Sequence, residues 1–195
     1  MKIVIGTKNP GKLKEFQSLA AGETWLEMEM VPDDFTAVEN GSTFFENAKI
    51  KAVKAAQLTG KQAMADDSGL VIEALKGQPG INSARYCEGT DADRRAKVLK
   101  EMEKVPADHR QAAFFCAMVV ANPDGSVAFS TIRAWEGMIL TEERGENGFG
   151  YDPIFYLPKR RLSAAELDLD EKNKISHRGQ AWFQVLKYLQ QQNGK

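Results

Sequence analysis

The chain of 195 residues is long enough to bury a core as one domain, with one lobe or with two. Its 43% hydrophobic and 27% charged residues are ordinary for a globular protein, and its net charge of −1 excludes a broad basic surface for nucleic acid or anionic membranes. An anionic ligand must therefore be held by a few placed cations. No apolar run approaches the roughly 20 residues of a membrane-spanning helix, and no signal-peptide pattern opens the chain. We expect a cytoplasmic protein with no membrane or nucleic-acid partner.

The first predicted elements are a short strand and a helix joined by a polar loop. The strand covers Lys2–Ile5, and apolar residues at helical spacing predict a helix from Gly11 to Ala21. Backbone N–H groups and the positive end of the helix dipole make such a junction a good seat for phosphate. The segment therefore favours a phosphorylated ligand, held by Thr7, Lys8, Asn9, Pro10, Gly11 and Lys12.

A second helix is predicted after a strand at Trp25–Val31. Thr43-x-x-Glu46 matches a capping box, and the alanines that follow indicate close packing against a sheet. Glu39 and Glu46 are both candidate metal ligands, and we prefer Glu39 because a capping box already uses Glu46. Lys51 is placed where it could reach a phosphate, although a solvated lysine is the commoner outcome.

An acidic segment interrupts the next predicted strand. Gln62–Ala65 and Leu70–Ile72 are strand-like, and Asp66-Asp67-Ser68-Gly69 lies between them. Adjacent carboxylates repel one another unless a cation or hydrogen-bond donors share them, and Mg²⁺ prefers such hard oxygen ligands. A turn stabilised by local side-chain hydrogen bonds is an equally good interpretation of this segment alone.

The rest of the chain alternates helices and strands, which predicts an α/β protein. A third helix, capped by Thr90 or Asp91, reaches Met102 with Ala92, Ala96, Leu99 and Met102 directed inward. A hairpin, a glycine-rich loop, a short helix opened by Ser163-x-x-Glu166 and a final amphipathic helix follow. The hairpin arms are Ala112–Ala121 and Val127–Ala134, and the loop is Gly145–Phe155. Cys87 and Cys116 lack metal-like spacing and are expected to be free buried thiols.

The glycine-rich loop and the start of the last helix contain candidates for recognising a ring. Phe149 and Tyr151 could stack on a nucleobase, although aromatic residues are more often part of a core. His177 and Arg178 could be simply exposed; together with Lys172 they could instead recognise a carbonyl-bearing ring or a phosphate.

Taken together, these segments resemble the inosine/xanthosine triphosphate pyrophosphatases, a family that removes deaminated purine nucleotides. The resemblance runs from residue 3 to about residue 190 and keeps the family order. The matching segments are Thr7-x-Asn9-x-x-Lys12, Thr43-Phe44-x-Glu46-Asn47-Ala48-x-x-Lys51-Ala52, Ala65-Asp66-Asp67-Ser68-Gly69-Leu70, Pro79-Gly80-Ile81-x-Ser83-Ala84-Arg85-Tyr86, Gly148-Phe149-Gly150-Tyr151-Asp152-Pro153-x-Phe155 and Ser176-His177-Arg178-Gly179-x-Ala181.

The resemblance implies one two-lobed domain over residues 1–195, with a long curved mixed sheet, flanking helices and an active-site cleft between the lobes, usually as a homodimer. It implies that Asp67 binds Mg²⁺, with Mn²⁺ as a substitute, and acts as general base, and that Glu39 is a further metal ligand. The triphosphate would be held by Thr7, Lys8, Asn9, Pro10, Gly11, Lys12, Lys51 and Ser68. The base pocket would be formed by Phe149, Gly150, Tyr151, Asp152, Lys172, His177 and Arg178.

The implied activity is hydrolysis of dITP, ITP, XTP or dXTP to a monophosphate and pyrophosphate, which cleanses the nucleotide pool. One alternative is a similar pyrophosphatase that acts on pyrimidine or other modified nucleotides. Another is a nucleotide sensor that does not hydrolyse its ligand, which the pair Asp66-Asp67 disfavours because a pure binder needs no general base. A nucleic-acid-binding module is disfavoured by the net charge.

Overall fold

The structure is a computed structural model that describes residues 1–194. In chain order its strands and helices are β1 (Lys2–Ile5), α1 (Pro10–Ala20), β2 (Glu27–Met30), α2 (Phe44–Thr59), β3 (Ala63–Ile72), α3 (Asp91–Glu101), β4 (Gln111–Ala121), β5 (Val127–Ile139), β6 (Phe155–Leu157), β7 (Leu162–Ser163), α4 (Leu169–Ile175) and α5 (His177–Asn193). None of the helices within residues 1–194 is long and apolar enough to cross a membrane.

The seven strands found in residues 1–194 form one mixed sheet in the order β2-β1-β3-β4-β5-β6-β7. β1 pairs in parallel with β2 and with β3, whereas β6 is antiparallel to β5 and to β7. The predicted α/β class, a mixed sheet with flanking helices, is confirmed.

The chain divides into two compact units, with three of the four boundaries inside β3, β4 and β5 and the fourth between α4 and α5. The first unit comprises Met1–Asp67, Cys116–Arg133 and the segment from His177 onward. The second comprises Ser68–Phe115 and Ala134–Ser176.

In the first unit, alternate residues of each strand enter different apolar clusters, as the two-residue period of a strand requires. Ile3, Ile5 and Met64 pack with α1 and α5, including Phe16 and Trp182, whose ring centroids are 5.6 Å apart. The neighbouring residues Val4, Ala63 and Ala65 pack instead with the fully buried alanines of α2: Ala48, Ala52, Ala55 and Ala56. The predicted close approach of this helix to the sheet is confirmed.

The second unit has a core rich in aromatic rings. Phe114 lies 4.6 Å from Phe155 and 6.4 Å from Trp135, measured between ring centroids. Val98 and Met102, at the end of α3, are fully buried in the same cluster.

Several details of the predicted elements are wrong. β3 runs without interruption from Ala63 to Ile72, so the acidic segment is part of a strand and not a turn. Ser163 and Glu166 do form a capping box, but it opens only a 3₁₀ turn at Ala164–Glu166. The inward face of α3 uses Val98 and Met102, with Leu99 partly buried against the same core, while Ala92 and Ala96 are exposed because the larger side chains bury more apolar area.

Other predicted details are confirmed. Thr90 is the N-cap of α3, and its capping box is completed by Asp93. β4 and β5 form the predicted hairpin around a turn in which the Asn122 N–H donates to the Ser126 carbonyl, although β5 continues to Ile139. Neither Cys87 nor Cys116 forms a disulfide within residues 1–194, and Cys116 is buried as predicted, whereas Cys87 is only partly buried.

Candidate functional site

The junction between β1 and α1 has the geometry of a capped helix start. The Asn9 side chain accepts a hydrogen bond from the Lys12 N–H at 3.1 Å, and Pro10 occupies the first turn, where its missing N–H costs nothing. The Thr7 hydroxyl accepts from the Asn9 N–H at 3.2 Å, which fixes the loop before the helix. The ammonium of Lys8 donates to the Asp33 carbonyl, whereas that of Lys12, in the first turn of α1, contacts Asp66.

Asp66 and Asp67 occupy opposite faces of β3 because successive strand residues alternate. The Asp66 carboxylate is completely buried, and its Oδ2 lies 2.9 Å from Lys12 Nζ and 3.3 Å from Arg178 NH2. Burial by itself raises the pKa of Asp66, but the charges of Lys12, Arg178 and Lys51 outweigh it and hold this pKa well below its usual range. Asp66 is therefore a fixed negative charge.

Asp67 faces α2, where Lys51 binds two carboxylates at once. Lys51 Nζ lies 3.0 Å from Asp67 Oδ1 and 3.0 Å from Glu39 Oε2. Asn47, one turn earlier on α2, places its Nδ2 atom 3.4 Å from Asp67 Oδ2. Burial raises the pKa of Asp67; Lys51 and Lys12 oppose the rise and Glu39 adds to it. The structure thus brings Glu39, Lys51 and Asp67 into one cluster of contacts.

Glu46 has the capping role that its position suggested, with one difference. Its carboxylate also accepts from the residue before the N-cap, from the Ser42 N–H at 2.6 Å and from the Ser42 hydroxyl at 2.7 Å. Thr43 is the N-cap and accepts from the Glu46 N–H. At Gly41 a Cβ would lie 2.6 Å from the Glu46 Cβ, so only glycine allows the loop to turn this closely past α2.

Glu15 is the participant in this site that the sequence did not reveal. Its carboxylate accepts from Arg178 NH1 at 2.5 Å, and both side chains are only 2% exposed. Burial lowers the pKa of Arg178, but Glu15 and Asp66 reverse this effect and hold it above its usual value. Arg178 is therefore a permanent cation between two buried carboxylates. The one available signal was a glutamate among the apolar positions of α1, next to Phe16.

The remaining predicted residues on this side of the site are His177 and Ser68. His177 begins α5 and is 3% exposed, so it is not the surface residue that its sequence context allowed. Ser68 follows Asp67 on β3, where it is half-buried and is the first residue of the second unit.

The second unit holds the glycine-rich loop together with Lys172. The Asp152 carboxylate accepts from the Phe149 N–H at 2.8 Å and from Lys172 Nζ at 2.6 Å, and this ammonium also lies 5.0 Å from the centre of the Phe149 ring. Lys172 lies on α4, a helix that the sequence did not predict. Phe149, Asp152 and Lys172 are thus in mutual contact.

Tyr151 belongs to the core of the second unit. It is 5% exposed, its hydroxyl donates to the Ser83 carbonyl at 2.8 Å, and burial raises its pKa. Ser83 in turn accepts from the Leu70 N–H at 2.9 Å, which links the loop to β3. Of the two predicted stacking residues, Phe149 is the more exposed.

A protein-family model described as the Ham1 family matches residues 3–188. The dITP/XTP pyrophosphatase of Desulforamulus reducens is 44% identical, with 97% of this chain and 96% of that protein covered. The protein of the same name from Coxiella burnetii is 46% identical, covering 95% and 94%. A solved HAM1 protein from Coxiella burnetii has a TM-score of 0.86 at 45% identity, over 98% of this chain and 99% of that one. The Staphylococcus aureus Ham1 protein has a TM-score of 0.86 at 36% identity, over 98% and 100%.

Proposed function

The chain belongs to the Ham1 family, and from this membership we propose that it hydrolyses dITP or ITP and XTP or dXTP to the nucleoside monophosphate and pyrophosphate. The observation that carries the proposal is the cluster in which Lys51 binds both Glu39 and Asp67, in the same unit as the capped loop of Lys12. The cellular role that follows is removal of deaminated purine nucleotides before a polymerase incorporates them.

The charges of the cluster support a divalent cation as cofactor. Lys12, Lys51 and Arg178 contact the carboxylates of Glu15, Glu39, Asp66 and Asp67, so the cluster is already slightly anionic before a triphosphate enters. No group of three or more metal-ligating side chains occurs among residues 1–194. Mg²⁺ usually takes one or two protein carboxylates and completes its shell with phosphates and water, so this donor set fits it.

Glu39 and Asp67 would hold the Mg²⁺, with Mn²⁺ as a substitute. When bound, the ion would offset phosphate charge and polarise the phosphoryl oxygens. Lys51 would then exchange part of its contact with these carboxylates for contact with the substrate.

The protein's own groups would carry out the proton transfer. Asp67 would accept a proton from a water molecule whose oxygen forms a new bond to the α-phosphorus. The bond from that phosphorus to the bridging oxygen breaks, and pyrophosphate leaves with the electron pair. The Asp67 carboxylate is held in place for this role by Lys51 Nζ at 3.0 Å and by Asn47 Nδ2 at 3.4 Å. Lys12 and Lys51 would neutralise the charge that develops on the leaving group.

Selectivity for deaminated purines requires donors for the 6-carbonyl group. In the second unit, Lys172 is a buried donor beside the partly exposed Phe149, and we assign recognition of the base to Phe149–Asp152 and Lys172. For His177 and Arg178, which belong to the first unit, the same role rests on the family resemblance alone. Adenine carries an amino group at position 6, which would leave such donors unpaired. A site built around hydrogen bonds can discriminate by about 10⁴–10⁵ in this way.

The protein would work in the cytoplasm as a homodimer. The names of its relatives, enzymes that act on the nucleotide pool, support the location. The dimer rests on the family resemblance.

The first experiment is pyrophosphate release from dITP, XTP, dATP, dGTP and dCTP, each with and without Mg²⁺. We expect metal-dependent release confined mainly to dITP and XTP. Asp67→Asn should lower kcat for dITP by about 10²–10⁴-fold while leaving the circular dichroism spectrum unchanged. Asp34→Asn, at an exposed aspartate, is the matched control and should turn over normally.

Release chiefly from dCTP would point to a pyrimidine pyrophosphatase. Binding of dITP without release from any triphosphate would contradict the proposed activity. Near-normal turnover by Asp67→Asn would remove Asp67 from the mechanism.

A further inference from the structure

α3 holds the glycine-rich loop through both backbone groups of a single residue. The Asp91 Oδ2 atom accepts from the Gly150 N–H at 3.0 Å, and Arg95 NH1 donates to the Gly150 carbonyl at 2.8 Å. Both backbone hydrogen-bonding groups of Gly150 are therefore directed towards one helix. Neither Asp91 nor Arg95 belongs to the segments that suggested the site.

The two side chains that hold Gly150 are themselves fixed by further partners. Arg95 Nε donates to Glu143 Oε1 at 2.8 Å, and the Arg95 side chain is 14% exposed. Asp91 Oδ1 accepts from Arg94 NH1 at 2.8 Å, and Arg94 NH2 donates to the Gly89 carbonyl at 3.0 Å. Because these contacts already restrict both side chains, their bonds to Gly150 cost little additional conformational entropy.

The loop depends on contacts of this kind because its own sequence does not favour one conformation. Gly148 has φ +76° and Gly150 has φ +61°, both in the left-handed region. A Cβ at Gly150 would meet no atom within 4 Å, so this glycine is required by its backbone conformation and not by crowding. Glycine loses more conformational freedom on ordering than any other residue, so contacts from α3 add to the order that the bond from the Phe149 N–H to Asp152 provides inside the loop.

Gly150 lies between two residues of the proposed base pocket. Phe149 places its ring beside Lys172, and Asp152 accepts from both Lys172 and the Phe149 N–H. A shift of Gly150 would move Phe149 directly, because the two residues share a peptide bond. The N–H of that peptide bond donates the hydrogen bond to Asp91.

We propose that Asp91 and Arg95 are positioning residues for base recognition: they hold Gly150 from both sides and thereby fix Phe149 and Asp152. This proposal rests on the proposed function, because it takes Phe149–Asp152 to contact the base. Asp91 and Arg95 act through the loop and do not themselves touch the substrate. Their loss therefore weakens binding of the base and leaves binding of the phosphates unchanged.

The test uses Arg95→Met and Asp91→Asn in the full chain. Met keeps the length of the side chain without its donors, and Asn keeps one acceptor oxygen where Asp91 now accepts from two groups. Arg95→Lys is the conservative variant, since one ammonium can donate to Gly150 but cannot reproduce the fork that also reaches Glu143. Lys100→Met, at an exposed residue of the same helix, is the control.

Two measurements address the contact and its consequence separately. Amide hydrogen exchange over residues 145–155 should be faster in Arg95→Met and Asp91→Asn than in the wild type. The Kd of deoxyinosine monophosphate should rise about tenfold on loss of one charge-assisted hydrogen bond, with the Kd of pyrophosphate unchanged. With dITP as substrate, KM should rise more than kcat falls. Arg95→Lys should lie between Arg95→Met and the wild type, and Lys100→Met should match the wild type.

Unchanged exchange in both variants would overturn the proposal, as would equal weakening of deoxyinosine monophosphate and pyrophosphate binding, which indicates general damage to the fold. A wild-type protein that binds deoxyinosine monophosphate but hydrolyses no triphosphate would contradict the proposed activity alone. A wild-type protein that does not bind deoxyinosine monophosphate would overturn the role in base recognition.

Discussion

Arg178 shows how one buried residue can serve both the fold and the proposed site. Its guanidinium contacts Glu15 and Asp66, which are both almost completely buried, and Asp66 also binds Lys12 of the phosphate loop. A buried ion pair adds little net stability by itself, because desolvation offsets the attraction. Removing one partner is far more harmful, since the remaining charges stay buried without compensation.

Arg178→Ala should therefore destabilise the protein by about 3–5 kcal/mol, since it leaves Glu15 and Asp66 without this cation. The free energy of unfolding in urea measures the effect. Arg178→Lys should be intermediate, because one ammonium cannot reproduce a fork that reaches two carboxylates.

Arg160→Ala is the control for this prediction. Arg160 pairs with Glu171 at 3.7 Å, and both side chains are more than 40% exposed, at 42% and 48%. An ion pair that is open to water contributes little, so the urea midpoint should hardly change. Equal losses of unfolding free energy in Arg178→Ala and Arg160→Ala would show that the buried contacts stabilise the protein no more than an exposed ion pair does.

At the scale of elements, α2 links packing to the proposed chemistry. Its alanines are fully buried against the sheet, and Asn47 and Lys51 on the same helix reach Asp67. The small side chains allow the helix axis to approach the sheet closely. The position of the helix, and hence the reach of Lys51, is set by these alanines.

Ala52→Leu should therefore destabilise the protein by about 1–3 kcal/mol and also lower kcat for dITP, because the larger side chain must displace α2. Lys54→Leu on the exposed face of the same helix should change neither quantity. Thermal unfolding and pyrophosphate release measure the two effects. A stable Ala52→Leu variant with normal kcat would show that the packing between α2 and the sheet accommodates a larger side chain at this position.

The elements also show what the sequence could and could not predict. Apolar periodicity and caps were sufficient for α1, α2 and α3, because those signals are local. α4 was missed because Leu169–Ile175 is short and mostly polar, with no apolar stripe to detect. The continuity of β3 was missed because an aspartate pair is typical of a turn, and only distant partners such as Arg178 make it tolerable in a strand.

Distant partners limit the prediction of the site in the same way. Glu15 and Arg178 are 163 residues apart, and nothing in either local sequence identifies the other as its partner. Glu39 and Lys51 are only 12 residues apart, and each was predicted separately, Glu39 as a metal ligand and Lys51 as a phosphate contact. The contact of Asp91 and Arg95 with Gly150 could not be predicted for two reasons. Its partners are far apart in the chain, and the group contacted on Gly150 is backbone, which leaves no signal in the side chains.

For the whole molecule, a net charge of −1 means that the surface as a whole offers no attraction for a triphosphate. Lys12 and Lys51, two cations proposed to contact the phosphates, are each already paired with carboxylates. Under the proposed function, a divalent cation that arrives with the phosphates would supply the missing positive charge.

Removing divalent cations with EDTA should for this reason stop pyrophosphate release from dITP and leave Tm unchanged. The proposed protein ligands are only the two carboxylates of Glu39 and Asp67, so the ion would complete its shell with the substrate and not act as a structural element. Excess Mg²⁺ added back should restore the full rate. A lower Tm in EDTA would reveal a metal that stabilises the fold, and turnover that persists in EDTA would show that lysines alone can balance the charge of the triphosphate.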